Sequence, residues 1–189
     1  MESLESQKEE IRGAAKKTAA KSTWRELAES ILIALVLAFV IRFFLFQPFY
    51  IPSASMEPTL RPLDRIIVSK INYWFHPPAH SDIIVFKFPV DPSRDFVKRV
   101  IGVGGDTVEV RNNQLIRNGE VVAEPYLAPL QMKNFGPVKV PEGQYFVMGD
   151  NRNFSDDSRY WGFVPDENVI GKAVLLYWPI DRIQVVKGV

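Results

Sequence analysis

The feature that most constrains this chain is a long apolar stretch near its N-terminus. Residues 27–46 read LAESILIALVLAFVIRFFLF, and Ile31 to Ile41 contains no polar side chain. A helix of about 20 residues, rising about 1.5 Å per residue, matches the roughly 30 Å hydrocarbon core of a bilayer. Arg42 lies near the end of the stretch, where its long side chain can reach the interface, and Pro48 follows. The sequence therefore predicts a transmembrane helix over residues 27–46.

A cleaved signal peptide and a buried core helix are the alternatives for this stretch. A signal peptide has a short apolar region with a small-residue cleavage site soon after it, whereas a long polar segment precedes this stretch and FLFQPFY, residues 44–50, ends it. An uncleaved anchor fits better. The basic residues near the stretch are Arg12, Lys16, Lys17, Lys21 and Arg25 before it, and Arg61 and Arg65 after it. The positive-inside rule therefore predicts a cytoplasmic polar tail over residues 1–26 and an extracytoplasmic domain over residues 47–189.

The charge balance and the lack of cysteine exclude several classes of function. Lys and Arg number 23 against 22 Asp and Glu, so there is no basic excess for binding the phosphates of a nucleic acid. Without cysteine there is no disulfide, no thiolate metal site and no cysteine nucleophile. Covalent catalysis would have to use another side chain.

No pattern in the sequence predicts a metal or a cofactor. His76 and His80 flank a proline-containing segment that is typical of a surface loop. The stretch after Asp150 lacks the glycine and the bidentate glutamate of a calcium loop. Residues 102–105 lack the third glycine and the helix of a dinucleotide fingerprint, and we interpret them as a turn.

Beyond Pro48 the sequence is typical of a mainly β, antiparallel-sheet domain. Short runs rich in β-branched and aromatic residues, separated by Pro and Gly, occur at residues 65–68, 82–88, 96–101, 145–148 and 169–178. Asn118-Gly119 is the pair that best tolerates the positive φ angles of a tight hairpin turn, and it predicts a β-meander there. No long amphipathic helix is predicted after the apolar stretch.

Three stretches with polar or reactive side chains interrupt this pattern. The first, residues 51–60, holds hydroxyl residues between two prolines, which stiffen a non-helical backbone. The second, residues 96–102, is typical of a strand whose alternation places Lys98 and Arg99 on opposite faces. The third, residues 148–159, is a charged and amide-rich loop between apolar strands. Taken singly, each has an ordinary alternative: a polar turn, a solvated lysine and a surface loop.

In this order and at this spacing, the stretches resemble those of the bacterial type I signal peptidases, membrane-anchored serine–lysine proteases that remove signal peptides from exported proteins. The similarity covers about residues 27–180. Its motifs are P-S-x-S-M-x-P-T-L at 52–60, D-x-I-x-V-x-K at 64–70, D-I-[IV]-V-F-K at 82–87, V-K-R-V-I-G at 97–102 and G-D-N-R-x-x-S-x-D-S-R-x-W-G at 149–162. The resemblance implies an antiparallel-sheet catalytic domain behind one N-terminal transmembrane helix. Ala54, Leu63 and Gly104 depart from the family pattern without removing a reacting group.

The resemblance also implies roles for the polar side chains of these motifs. Ser55 would be the nucleophile and Lys98 the general base. Ser53 and the backbone N–H of Ser55 would form the oxyanion hole. Ser155 would orient the Lys98 amine, and the site would be braced by Asp150, Arg152, Asp157 and Arg159.

A lysine can act as a base only when its amine is neutral. The ordinary pKa of about 10.4 would have to fall to roughly 8, and burial of the ammonium among the apolar neighbours of the strand has that effect. A carboxylate paired directly with Lys98 would reverse it. We therefore expect Asp150 and Asp157 to pair with Arg152 or Arg159, away from the amine.

The partners implied by the resemblance are the signal peptides of exported pre-proteins and a lipid bilayer, the plasma membrane or a thylakoid membrane. In the family the peptide binds extended, and small side chains at positions −1 and −3 enter shallow pockets. We expect apolar residues around these pockets, at Phe49, Ile51, Met56, Leu60, Phe96 and Val97. Trp74 and Phe75 are either ordinary core residues or exposed contacts with the lipid interface.

Two other functions compete with this one. A self-cleaving repressor of the SOS type shares the serine–lysine chemistry, but it needs a DNA-binding helix-turn-helix where this chain has its apolar stretch. A non-catalytic, membrane-tethered β domain that binds a secreted partner would keep the apolar pattern without needing Ser55 and Lys98 together. The sequence sets no oligomeric state.

Overall fold

The structure, a computed structural model, describes residues 24–127, 132–186 and 188, and it divides into two compact units, Met1–Phe43 and Phe44–Val189. Most of the predicted polar tail, residues 1–23, lies outside the described residues. In the first unit the helix α1 is described over residues 24–40. Its exposed large apolar side chains are Trp24, Leu27, Ile31, Leu32, Ile33, Leu35, Val36, Leu37, Phe39 and Val40. Among the described residues, no helix combines the length and the apolar character needed to cross a membrane.

The second unit is built mainly from short antiparallel strands. Five residues in π-helical geometry, Ile41–Leu45, precede the first of them, so Phe46, the last residue of the predicted transmembrane segment, begins a strand instead. In chain order the strands are β1 Phe46–Tyr50, β2 Arg65–Ser69, β3 Ile83–Lys87, β4 Asp95–Gly102, β5 Thr107–Arg111, β6 Gln114–Arg117, β7 Glu120–Val122, β8 Phe135–Lys139, β9 Gln144–Met148, β10 Val164–Pro165, β11 Val169–Trp178 and β12 Gln184–Val185. The predicted mainly β fold class is confirmed.

The strands of the described residues form two sheets. The larger has the order β1-β2-β11-β3-β4-β9-β10, with β12 paired to β11. The edge strand β1 contains Pro48, which an edge tolerates because one side of such a strand makes no ladder. The smaller sheet has the order β7-β6-β5-β8. Its predicted hairpin turn is confirmed, since Asn118 and Gly119 have φ angles of 55° and 86°.

An apolar core joins the two sheets. Ile101 of β4 and Phe146 and Met148 of β9 are buried against Val108 of β5 and Leu115 of β6. The strands β4 and β9 are therefore anchored on the smaller sheet as well as paired with each other. The strand β4, which carries Lys98, is thus held both by its pairing with β9 and by its packing against the smaller sheet.

Short helices lie in the connections of the large sheet. The helix α2, Asn72–Phe75, carries Trp74 and Phe75, whose side chains are 57% and 75% exposed, so the interpretation of this pair as core residues is wrong. His76 and His80 are exposed as predicted, and His80 contacts Asp106 at 2.7 Å through Nε2. The helix α3, Ser158–Trp161, begins at the end of the stretch of residues 149–159, which is called the site loop below.

Candidate active site

Ser55 lies in a short 3₁₀ turn, Ala54–Met56, between the prolines of the first motif. The site loop holds this turn from one side. Asn151 donates its backbone N–H to the Ser55 carbonyl oxygen at 3.0 Å and its side-chain amide to the Ala54 carbonyl oxygen at 3.1 Å. Ser55 is buried, so its hydroxyl is carried on a fixed backbone and is not part of a free polar turn.

Lys98 projects from the middle of β4, where it pairs with Ile84 of β3. Its side chain is buried, with only 4% of the residue exposed. The Nζ atom lies 2.8 Å from Ser55 Oγ and donates a second hydrogen bond to the Val97 carbonyl oxygen at 3.1 Å. It also lies 5.3 Å from the centroid of the Phe96 ring. The interpretation of Lys98 as an ordinary solvated strand lysine is therefore wrong.

Burial is the main influence on the Lys98 amine. Desolvation lowers the pKa of Lys98 from its ordinary value of 10.5 to about 8, although the negative charges of Asp157, Asp156 and Asp150 act in the opposite direction. No carboxylate is among the hydrogen-bond partners that the described residues give to its Nζ. A buried cation without a direct counter-ion loses its proton readily. The amine is therefore placed to act as a base near neutral pH.

Ser53 precedes the 3₁₀ turn in extended conformation and is exposed beside the nucleophile candidate. Its Oγ lies 3.4 Å from Ser55 Oγ. When the carbonyl carbon of a substrate bonds to Ser55 Oγ, a hydroxyl at this distance can donate a hydrogen bond to the carbonyl oxygen. The structure thus brings Ser53, Ser55 and Lys98 together, and the oxyanion role of Ser53 stays a prediction.

Ser155 differs from its predicted arrangement. Its Oγ is buried and has no hydrogen-bond partner among the described residues, so the implied bond to the Lys98 amine is absent. The hydroxyl packs against the backbone of Gly149 instead, since a Cβ atom built on Gly149 would lie 2.3 Å from this Oγ. Ser155 lies in the site as expected, but the structure gives no contact through which it orients the amine.

Asp150 pairs with a residue that sequence reasoning did not choose. Arg99 donates to its two carboxylate oxygens at 2.8 and 2.6 Å, and Thr59 Oγ1 donates to one of them at 2.5 Å. The prediction that Asp150 pairs with Arg152 or Arg159 is therefore wrong. The physical reason is strand alternation, since Arg99 follows Lys98 and points to the opposite face of β4, where it meets Asp150.

Asp157 pairs as predicted. Arg159 donates from Nε and from a terminal nitrogen to the two oxygens of Asp157, both at 2.8 Å. Asp157 also accepts the backbone N–H of Gly149 at 3.1 Å and that of Arg159 at 3.3 Å. The Asp157 carboxylate therefore connects the two ends of the site loop, and its hydrogen bonds come from donors other than the Lys98 amine.

Arg152 pairs with Glu124, a residue outside every motif singled out from the sequence. The guanidinium donates to one carboxylate oxygen at 2.8 Å and forms a second, shorter bond with the other. Its Nε also donates to the Gly149 carbonyl oxygen at 3.1 Å. No local signal could have revealed this pair, because the partners are 28 positions apart and neither patterning nor spacing connects them.

A cavity of about 550 Å³ opens beside the dyad. Of the apolar residues expected around the substrate pockets, Phe96 and Val97 line it. The side chains that sequence reasoning missed add an exposed aromatic ring and three charges to its wall. The lining residues are Pro52, Ser53, Ser55, Arg94, Asp95, Phe96, Val97, Lys98, Phe154 and Asp156.

Three of the other expected pocket residues lie in the core instead. Ile51, Met56 and Leu60 are at most 2% exposed and pack in one buried cluster beneath the turn of Ser55, with Phe49 partly buried against it. They do not line this cavity, and their contact with a peptide stays a prediction. Apolar character alone does not distinguish a core position from a pocket wall, and these side chains support the nucleophile turn from below.

Comparison with known proteins agrees with this geometry. The family model described as signal peptidase, peptidase S26, matches residues 24–178. The chain belongs to this family. As a member, it is a serine endopeptidase with type I signal peptidase function, and it acts on the signal peptides of pre-proteins.

Relatives in the signal peptidase family cover most of the chain. A probable signal peptidase I-1 from Synechocystis sp. is 47% identical in an alignment of 171 residues that covers 85% of this chain and 87% of the relative. A signal peptidase I from Leptolyngbya laminosa is 44% identical in an alignment of 178 residues that covers 90% of this chain and 87% of the relative. A solved signal peptidase I from Enterococcus faecalis V583 is 39% identical, covers 51% of this chain and 97% of its own, and has a TM-score of 0.48.

Proposed function

We propose that the signal peptidase activity of this chain is carried by a dyad in which Ser55 is the nucleophile and Lys98 the general base. The observation that carries the proposal is the 2.8 Å separation between a buried amine and a buried hydroxyl. A serine hydroxyl is a weak nucleophile until a neighbouring base takes its proton in the transition state. Among the described residues, Lys98 is the group in contact with Ser55 Oγ that can accept that proton.

The reaction runs in two steps. As Ser55 Oγ bonds to the scissile carbonyl carbon, its proton moves to the neutral Lys98 amine and the carbonyl oxygen becomes an oxyanion. The Ser53 hydroxyl and the backbone N–H of Ser55 donate to this oxygen. The tetrahedral intermediate then collapses, the C–N bond breaks, and the proton passes from Lys98 to the leaving amine. In the second step Lys98 takes a proton from a water molecule that bonds to the acyl carbon, the ester bond to Ser55 Oγ breaks, and the proton passes from Lys98 to Ser55 Oγ.

The lowered pKa makes this base available at neutral pH. At pH 7 a pKa of about 8 leaves roughly one amine in ten neutral, whereas the ordinary value of 10.5 would leave roughly one in 3,000. The rate should therefore rise with pH up to about 8 and then level off. Burial of Lys98 supplies this advantage without a histidine or an acidic orienting partner.

Selection of small residues at positions −1 and −3 is the finer part of the proposal. The cavity beside Ser55 has Phe96 and Val97 in its wall, and a bulky aromatic ring at this position limits the size of a substrate side chain. Enlarging the space by Phe96→Ala should relax the size limit, which cleavage of pre-proteins with Leu at −1 or −3 would report.

A lipid bilayer, with the plasma membrane as location, is the second partner in the proposal. Support comes from the exposed apolar side chains along α1 and from Trp74 and Phe75, which expose aromatic surface on the second unit. The basic residues before the apolar stretch favour a cytoplasmic N-terminus. After expression in bacteria, the chain should stay in the membrane pellet through an alkaline wash, and protease added to spheroplasts should reach the Phe44–Val189 unit. Release by the wash or full protection would contradict this.

The dyad is tested by cleavage of a pre-protein with the full chain in detergent. Ser55→Ala and Lys98→Ala should each abolish release of the mature protein, identified by its N-terminal sequence. Ser93→Ala and Lys87→Ala change the same residue types at exposed positions and should cleave normally. Cleavage by purified Ser55→Ala would exclude the dyad and favour a different nucleophile.

A further inference from the structure

The segment that leaves the smaller sheet after β7 crosses to the site and contacts two buried arginines there. We infer that Glu124, together with Tyr126 of this segment, positions the Ser55–Lys98 dyad for reaction. The inference rests on the proposed roles of Ser55 and Lys98. Glu124 is a positioning residue, because it reaches the reacting atoms only through other side chains.

The first step is the pairing of Glu124 with Arg152. The Arg152 side chain is fully buried and that of Glu124 is 7% exposed. A buried guanidinium is unfavourable unless an anion and hydrogen-bond acceptors surround it. Burial acts to lower the pKa of Arg152, but the hydrogen bonds and charge of Glu124 outweigh burial and raise it. The carboxylate of Glu124 therefore keeps Arg152 charged and fixed in one orientation.

The second step leads from Arg152 to the nucleophile. Arg152 Nε holds the Gly149 carbonyl oxygen at 3.1 Å, which fixes the start of the site loop. Two residues along the loop, Asn151 donates to the carbonyl oxygens of Ser55 and Ala54 at 3.0 and 3.1 Å. Hydrogen bonds and the backbone of residues 149–151 thus join Glu124 to the backbone of the nucleophile turn.

The third step leads from Tyr126 to the strand of the base. The Tyr126 hydroxyl donates to Glu124 Oε1 at 2.6 Å, and its ring lies 3.8 Å from the guanidinium carbon of Arg99. Arg99 is the direct chain neighbour of Lys98 and holds Asp150 with two hydrogen bonds. Glu124 therefore contacts Arg152, which supports the turn of Ser55, and Tyr126 contacts Arg99, the chain neighbour of Lys98.

Neither Glu124 nor Tyr126 lines the cavity beside Ser55. Removal of the carboxylate should leave substrate binding unchanged and slow the chemical step, because proton transfer requires the hydroxyl and the amine in hydrogen-bond contact. A purely structural role would instead reduce the amount of folded enzyme. The two effects are separated by single-turnover cleavage with enzyme in saturating excess, since the observed rate constant then reports only the folded complex.

The test compares Glu124→Gln with Glu120→Gln in the full chain. Glu120 lies in β7 and is exposed, so its substitution makes the same charge change away from the site. With a pre-protein as substrate, Glu124→Gln should lower the saturating single-turnover rate constant roughly tenfold. The enzyme concentration for half-saturation should stay unchanged, and Glu120→Gln should behave as the wild type.

A single-turnover rate constant for Glu124→Gln within twofold of the wild type would overturn the inference. Should Glu124→Gln fail to fold, Tyr126→Phe decides, because it keeps the ring on Arg99 and the Glu124 carboxylate while removing the two hydrogen bonds of the hydroxyl, one to Glu124 and one from Arg152. It should lower the rate constant roughly threefold, and a wild-type value would overturn the inference. A Ser55→Ala variant measured alongside distinguishes failure of the dyad from failure of the positioning role. Cleavage by Ser55→Ala would exclude the dyad itself. An inactive Ser55→Ala together with an unaffected Glu124→Gln would exclude only the positioning role of Glu124.

Discussion

At the scale of single residues, the site depends on a lysine that is kept in an unfavourable environment. Lys98 is buried, and its hydrogen-bond partners among the described residues are Ser55 Oγ and the Val97 carbonyl oxygen, neither of them an anion. The nearby carboxylates of Asp150 and Asp157 are committed to Arg99 and Arg159. The amine is therefore destabilised as an ammonium, and this destabilisation provides the base and lowers the stability of the fold.

This cost predicts that Lys98→Met abolishes cleavage but stabilises the protein at neutral pH. The folded pKa of about 8 lies below the ordinary 10.5, so folding opposes protonation, with the full penalty present below pH 8 and none above pH 10.5. Keeping the ammonium buried costs about 3 kcal/mol of folding free energy at neutral pH. The variant escapes this cost but loses the hydrogen bonds of Nζ, which are worth about 1 kcal/mol. Urea unfolding at pH 7 should show Lys98→Met more stable by about 2 kcal/mol, with the gain disappearing at pH 11.

The exposed residue Lys87 of β3 supplies the control for this measurement, since Lys87→Met removes an amine that is already in water. Its stability should match the wild type at both pH values. A Lys98→Met variant that is less stable than the wild type at pH 7 would show that the amine is not held as a destabilised cation.

The charge of Asp156 should set the position of the pH profile. Its carboxylate is exposed at the cavity and raises the pKa of Lys98. Asp156→Asn removes this charge without disturbing an ion pair found in the described residues, so the acidic limb of kcat/KM against pH should move to lower pH. The shift should shrink with added salt, which screens exposed charges. Asp181→Asn, an exposed change elsewhere, should leave the limb in place, and an upward shift in Asp156→Asn would contradict the assignment.

At the scale of elements, two segments outside the sheets meet to make the site: the 3₁₀ turn of Ser55 and the site loop. Gly149 lies where the two are in close contact. A Cβ atom there would lie 2.3 Å from the Ser55 carbonyl oxygen and 2.3 Å from Ser155 Oγ. Because one of these atoms belongs to the backbone, the turn and the loop would have to separate to admit a side chain.

Gly149→Ala should therefore lower the single-turnover rate constant roughly 100-fold, because a shift of about 1 Å takes Ser55 Oγ out of contact with the amine. Gly188→Ala is the control, since its added atom would come no closer than 3.3 Å to the Ser81 carbonyl oxygen. Normal cleavage by Gly149→Ala would show that the loop and the turn tolerate separation.

Much of the structure at the scale of elements can be predicted from the sequence, because it depends on local patterns. Runs of β-branched residues predict the strands, Asn118-Gly119 predicts its hairpin, and alternation in β4 separates Lys98 from Arg99. The pairs Arg99–Asp150 and Glu124–Arg152 could not be predicted, since the partners are 51 and 28 positions apart and meet only after both sheets are packed. The sequence predicts Ile51 at a pocket wall, whereas the residue packs in the core, because the same apolar character suits both positions.

At the scale of the whole molecule, the site residues all belong to the second compact unit. The turn of Ser55, the strand β4, the site loop and Glu124 lie between residues 53 and 159, inside Phe44–Val189. The cores that support them are formed within this unit as well. We therefore expect folding of the dyad to depend on the second unit.

A fragment of residues 44–189 should accordingly fold and cleave a short peptide that contains a signal-peptide cleavage site. Its kcat/KM for this peptide should lie within about tenfold of the full chain, since the reacting groups are unchanged. With a pre-protein embedded in vesicles the fragment should be much slower, because it lacks α1. An unfolded or inactive fragment would show that the first unit contributes to the site itself.

The adjacency of Lys98 and Arg99 has a consequence for how this protein can vary. One strand presents a neutral base on one face and a paired, permanent cation on the other, with Lys98 opposite Ile84 and Arg99 opposite Ile83. Sliding β4 by a single position would turn Arg99 to the face of the serine and Lys98 to the face of Asp150, so neither side chain would keep its partner. Insertions or deletions within this strand should thus be absent among active variants.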